Sequence, residues 1–120
     1  MPLKLQERQD GDVTVLELDG ALIMGAEVDA LRERIRALLK AHKVKIVLHL
    51  EKVNRLDSIG VGTMMDAVKR TRAAGGDLRL AQLSKTAADV LRLLTLTQRP
   101  DLLAIFPDEQ AAIASLRPPA

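Results

Sequence analysis

The stretch Ile46-Val47-Leu48-His49-Leu50-Glu51-Lys52-Val53-Asn54-Arg55-Leu56-Asp57-Ser58-Ile59-Gly60-Val61-Gly62 decides the architecture. Its first five residues are almost continuously apolar, the pattern of a central strand covered on both faces. A polar connection from Glu51 to Leu56 follows, and a helix opens at Asp57 or Ser58 with either side chain as N-cap. Val61, Met64, Met65 and Val68 then recur at helical spacing, with Asp66, Lys69, Arg70 and Arg72 on the other face. A buried strand leading into an amphipathic helix is the repeating step of an α/β fold.

The same alternation continues in both directions. Upstream, Leu3 and Leu5 mark a short first strand. Asp10-Gly11-Asp12 is a turn, and Val13 to Leu18 is a second strand. The linker is too short for a parallel crossover, so these two strands form a hairpin. From Gly25 to about Ala41 the residues Val28, Leu31, Ile35, Leu38 and Leu39 share one helical face. Downstream, Gly75-Gly76 stops the second helix, and Leu78 to Leu83 is a strand. Ser84 caps a third helix carrying Val90, Leu91 and Leu94. Leu102 to Phe106 is a last strand, Pro107 breaks it, and Asp108 caps a final helix ending near Leu116. The expected order is β-β-α-β-α-β-α-β-α: one α/β domain over residues 1–116 with a mixed sheet and four helices. Residues 117–120, Arg-Pro-Pro-Ala, are expected to form a disordered tail.

Composition narrows the chemistry. With 120 residues and 48% hydrophobic side chains, the chain suits one domain with a sizeable core. It has no cysteine, so disulfides, thiolate catalysis and cysteine-held metals are excluded. Eighteen basic against sixteen acidic residues leave a charge of +2, too little for an electrostatic footprint on nucleic acid. Phe106 is the single aromatic residue, which rules out base-stacking platforms and interfacial aromatic belts. Charges at Lys4, Glu7, Arg8, Asp10 and Asp12 interrupt the opening residues, and no stretch of about twenty apolar residues occurs. No membrane insertion is expected, and the cytoplasm is the expected location.

Enzyme signatures are equally absent. There is no Gly-x-Ser-x-Gly elbow, phosphate-cradling loop or His-Glu-x-x-His. Gly60-Val61-Gly62 runs on as Thr63-Met64-Met65, without the third glycine of a dinucleotide fingerprint. His49 lies within an apolar strand, in or beside the core, and His42 follows a helix end. Neither supplies a base for a nucleophilic serine. No cofactor or metal is implied.

The remaining candidate is Asp57-Ser58-Ile59-Gly60-Val61-Gly62, which sets an acid and a hydroxyl at a helix start beyond the carboxyl end of a buried strand. In open α/β sheets functional groups collect there. Two glycines in the first turn and a half each cost up to about 1 kcal/mol relative to alanine. They make sense where another backbone or molecule approaches closely.

These residues resemble the STAS domain family (sulphate transporter and anti-sigma-factor antagonist), most closely its free-standing bacterial anti-sigma factor antagonists. That pattern is an apolar strand, a short polar loop, then Asp-Ser-Ser/Thr-Gly-Leu-Gly opening a helix. Leu18-Asp19-Gly20 and Gly75-Gly76 extend the likeness over nearly the whole chain. The resemblance implies that Ser58 is a phosphorylation site. It also implies that the unmodified protein binds an anti-sigma factor that is itself a serine kinase, releasing a sigma factor. Phosphorylation ends the binding and a metal-dependent serine phosphatase restores it. Asp57 would shape the loop or the kinase contact, and Ile59, Gly60 and Gly62 would belong to the partner surface. Ile59 stands where the family has a second hydroxyl. Ala21-Leu22-Ile23-Met24 replaces a more polar segment, and Ala21, Leu22 and Met24 are expected to offer an apolar partner patch or a self-association surface. The alternative role implied by the resemblance is that of a constitutive subunit of a transporter complex or a stress-signalling scaffold.

Overall fold

A computed structural model of the chain describes residues 3–117. Nine elements occur in the expected order: β1 (Lys4–Asp10), β2 (Val13–Leu22), α1 (Ala26–Lys40), β3 (Lys45–Leu56), α2 (Ser58–Ala73), β4 (Asp77–Ala81), α3 (Lys85–Leu93), β5 (Ala104–Phe106) and α4 (Glu109–Leu116). The five strands form one mixed sheet in sequence order. β1 and β2 are an antiparallel hairpin, with Lys4 opposite Asp19 and Asp10 opposite Val13. The remaining neighbours pair in parallel through helical crossovers, as α/β domains require.

Strand alternation sends the two faces of the sheet to different partners. Leu16, Leu18, Ile46, Leu48, Leu78 and Leu80 pack with Leu31 and Ile35 of α1, Met64 and Val68 of α2, and Leu91 of α3. Val13, Val15, Val47 and Ala81 on the reverse pack with Ala112, Ile113 and Leu116 of α4. Phe106, partly buried, closes that smaller core.

Several boundaries differ from the sequence reading, each for a physical reason. β2 does not end at Leu18 but runs to Leu22, and β3 does not end at Leu50 but runs to Leu56. The extensions pair with each other, Gly20 with Val53 and Leu22 with Leu56, across register shifts that break simple alternation. The polar connection from Glu51 to Leu56 is therefore strand. β4 stops at Ala81 because Gln82 turns to φ 49°. Leu102 and Leu103 precede β5 in a loop, although Leu103 is buried. Leu94 sits past the end of α3 and is exposed, not inward. Arg117, assigned from sequence to the tail, ion-pairs with Asp10 at 2.6 Å. Residues 118–120 lie outside the described residues.

Candidate functional site

Asp57 ends β3 in an extended conformation and caps α2: its Oδ1 accepts from the Gly60 N–H at 2.7 Å. This satisfies one of the orphan donors of the helix start. The second oxygen, Oδ2, accepts from the Met24 N–H at 2.9 Å. One carboxylate thus clasps the loop after β2 to the first turn of α2. Partial burial pushes this carboxyl upward, but the N–H groups of Met24, Gly60 and Ile59 together hold it below the ordinary value of 3.8. It is an anion held by backbone dipoles.

Ser58 is the first helical residue and is exposed. No acidic residue occupies the first turn of α2, so the positive end of the helix dipole carries no side-chain anion beyond the cap. Ile59 (42% exposed), next to Ser58 in the chain, and Met24 (70% exposed), on the loop clasped by Asp57, are the exposed apolar residues of the two joined segments.

The two glycines differ in role. A Cβ on Gly60 would lie 2.2 Å from the Leu22 carbonyl oxygen, so Gly60 is required by the packing of α2 on the β2 extension. It is buried, and its expected place on a partner surface is corrected accordingly. Gly62 is exposed, with nothing within 4 Å of such a Cβ. The close approach inferred from the glycine pair is intramolecular at Gly60 and leaves open surface at Gly62.

The apolar patch expected at Ala21, Leu22 and Met24 is also corrected. Ala21 (1% exposed) and Leu22 (0%) belong to the extension of β2 and are core. Met24 alone of the three faces outward. The sequence reading missed the Met24–Asp57 clasp, since nothing in local spacing brings residues 33 positions apart together.

His49 is buried on β3, its Nε2 3.3 Å from Glu51 Oε2 and its Nδ1 without a hydrogen-bond partner. His42, exposed after α1 at φ 61°, is remote in sequence from this cluster. Among the described residues no group of three or more histidine or acidic side chains is arranged to hold a metal ion. No helix there is long and apolar enough to cross a membrane.

Known proteins share this fold. A Thermotoga maritima protein superposes with a TM-score of 0.82 at 21% identity, over 95% of each chain. An anti-sigma factor antagonist from Mycobacterium paratuberculosis gives 0.79 at 18% identity, covering 97% of this chain and 95% of that one. The Bacillus cell fate determinant SpoIIAA in its phosphorylated form gives 0.68 at 22%, covering 95% and 100%. At such identities the likeness is one of fold. Membership rests on the sequence itself: the model of the STAS domain matches residues 4–112, spanning every element from β1 into α4 with the capped serine at its centre, and the chain belongs to the STAS domain family.

Proposed function

We propose that the protein is an anti-sigma factor antagonist whose docking surface is the start of α2 and whose switch is Ser58. The observation that carries this reading is the exposed serine at the first position of a helix capped by Asp57, the same aspartate that clasps the segment bearing exposed Met24. Family membership and the likeness to SpoIIAA, solved in both unphosphorylated and phosphorylated forms, support it. In its unmodified form the protein binds an anti-sigma factor that is also a serine kinase, and a sigma factor is released. A serine phosphatase reverses the modification. The protein acts as a binding module in the cytoplasm and performs no catalysis of its own.

The switch follows from local electrostatics. A phosphoryl group on Ser58 adds about 1.5 to 2 negative charges and three acceptor oxygens. The free end of α2 tolerates that charge, because helix N-termini favour anions. The fold therefore survives modification. A partner seated over Met24 and Ile59 would have to desolvate a dianion beside the Asp57 carboxylate. Such a penalty readily reaches about 2.8 kcal/mol, a hundredfold in affinity.

Ser58→Ala should bind the anti-sigma factor constitutively and Ser58→Asp about a hundredfold more weakly, both with unchanged circular dichroism. Equal affinities of the two folded variants would refute the reading. The role of constitutive transporter or scaffold subunit drew on an apolar patch at Ala21 to Met24. With Ala21 and Leu22 buried, that support is gone.

A further inference from the structure

α1 and α2 lie side by side on one face of the sheet but do not fill the space between them. A groove of about 410 Å³ remains, within the range of small-molecule sites and well above the voids of a packed interior. Short side chains line the α2 side of the gap: Thr63, Ala67 and Ala73 of the helix and Ala74 just beyond it. Opposite them Leu39 is partly exposed, whereas Ile35, Thr63 and Ala67 are nearly covered and form the floor.

Charge around the groove is asymmetric. Arg32, Arg36 and Arg70 line it, against a single carboxylate, Asp66. Each arginine has a partner on its own helix: Asp29 at 3.3 Å, Glu33 at 2.7 Å and Asp66 at 2.8 Å, respectively. These are exposed pairs at i,i+3 or i,i+4, of the kind that contributes little to stability. A ligand carboxylate offering bidentate geometry to a guanidinium competes easily with them. The arginine stems extend the apolar wall and hold their charges at its rim.

We propose that this groove is a binding site for a fatty carboxylate, its alkyl chain lying on Leu39, Ala73 and the arginine stems and its head group on Arg36 and Arg70. An apolar trough with a cationic rim matches a ligand with one anionic end and one alkyl end. The groove is open along one side, and its volume suits a single chain of medium length. Ser58 is twelve residues before Arg70, about 18 Å along α2 at helical rise, so the head-group end of the groove is separate from the proposed switch.

The test is titration of the isotopically labelled full chain with decanoate, below its micelle concentration, followed by amide chemical shifts. Saturable shifts confined to residues 32–39 and 63–74 are expected. Decanol, which keeps the tail, and acetate, which keeps the charge, should each bind at least about tenfold more weakly. Arg36→Gln combined with Arg70→Gln should weaken decanoate about tenfold, whereas Asp66→Asn, which removes the competing carboxylate, should tighten it about threefold. Ala73→Phe, at an exposed helix position that leaves the core intact, should block the groove. Ser58→Asp should bind decanoate like the parent. Shifts outside α1 and α2, or affinity indifferent to the arginine, Asp66 and Ala73 substitutions, would overturn the proposal. So would binding of anionic phospholipid vesicles or of an acidic helical peptide without any response to free decanoate.

Discussion

At the start of α2 and again at the start of α4, an aspartate caps the helix with nearly the same geometry. Asp57 Oδ1 accepts from the Gly60 N–H at 2.7 Å, and Asp108 Oδ1 accepts from the Ala111 N–H at 2.8 Å. Beyond the cap the two ends diverge. In α4 the first helical residue is Glu109, whose carboxylate is paired with Arg8 and whose N–H donates to Gln82 Oε1 at 3.3 Å. In α2 the first helical residue is Ser58, exposed, and the spare aspartate oxygen reaches across to Met24. The α4 end already has its anion and its neighbours; the α2 end has the dipole, a modifiable hydroxyl and two apolar side chains facing out. The switch proposed for α2 would rest on what its first turn leaves unused, since the cap itself is common to both.

The sharpest contrast lies within α2. Gly60→Ala drives a methyl group into the Leu22 carbonyl, and the strain should cost about 3 kcal/mol or more. Chemical denaturation should show it as a large loss of midpoint. The caps come next. Asp57→Ala loses two hydrogen bonds that join two segments, Asp108→Ala one within a single helix, so losses of about 2 and about 1 kcal/mol are expected. Equal losses would mean that the Met24 clasp contributes nothing to stability.

Met24→Ser and Ile59→Thr should each weaken partner binding about tenfold, or about 1.4 kcal/mol, while leaving the denaturation midpoint nearly unchanged. The mirror-image control is Leu94→Ser, which removes another exposed apolar residue and should leave binding unaffected.

The clasp also has a pH signature. The Asp57 carboxyl is held below its ordinary 3.8, so its contribution to stability is fully present above that value. It is lost as pH falls below about 4 and through the lowered folded-state value. Asp57→Asn should therefore flatten the acid limb of a stability-against-pH curve relative to the parent and leave the slope in the neutral region unchanged. The smallest effect belongs to Gly62→Ala. Its side chain meets open space, so stability should rise by about 0.5–1 kcal/mol, measurable as a modest gain in midpoint.

How far these features were legible in the sequence depends on the range of the interactions behind them. The order of elements, the hairpin and the Ser84 and Asp108 caps depend on local period and short-range side-chain chemistry, and all are present; of the two candidates for the α2 cap, Asp57 and Ser58, the structure takes Asp57. The extensions of β2 and β3 depend on pairing with each other. Glu51 and Lys52 are consecutive exposed residues beside a register shift, so alternation fails where the strand continues. That failure propagated to the site. With β2 ended at Leu18, Ala21 and Leu22 passed for surface, and Gly60 was left without the backbone that explains it. Ser58 and its cap were legible because a helix start is written in four residues; the clasp to Met24 was not, because it is written only in three dimensions.

If one hydroxyl at the amino end of α2 governs docking, incubation with the cognate anti-sigma factor kinase and ATP, followed by mass mapping and a binding measurement on the modified and unmodified protein, will reveal it. A single phosphate on Ser58, an unchanged fold and affinity lower by about a hundredfold are expected. A phosphate placed elsewhere with Ser58 untouched, or full affinity retained by the Ser58-phosphorylated protein, would rule the switch out.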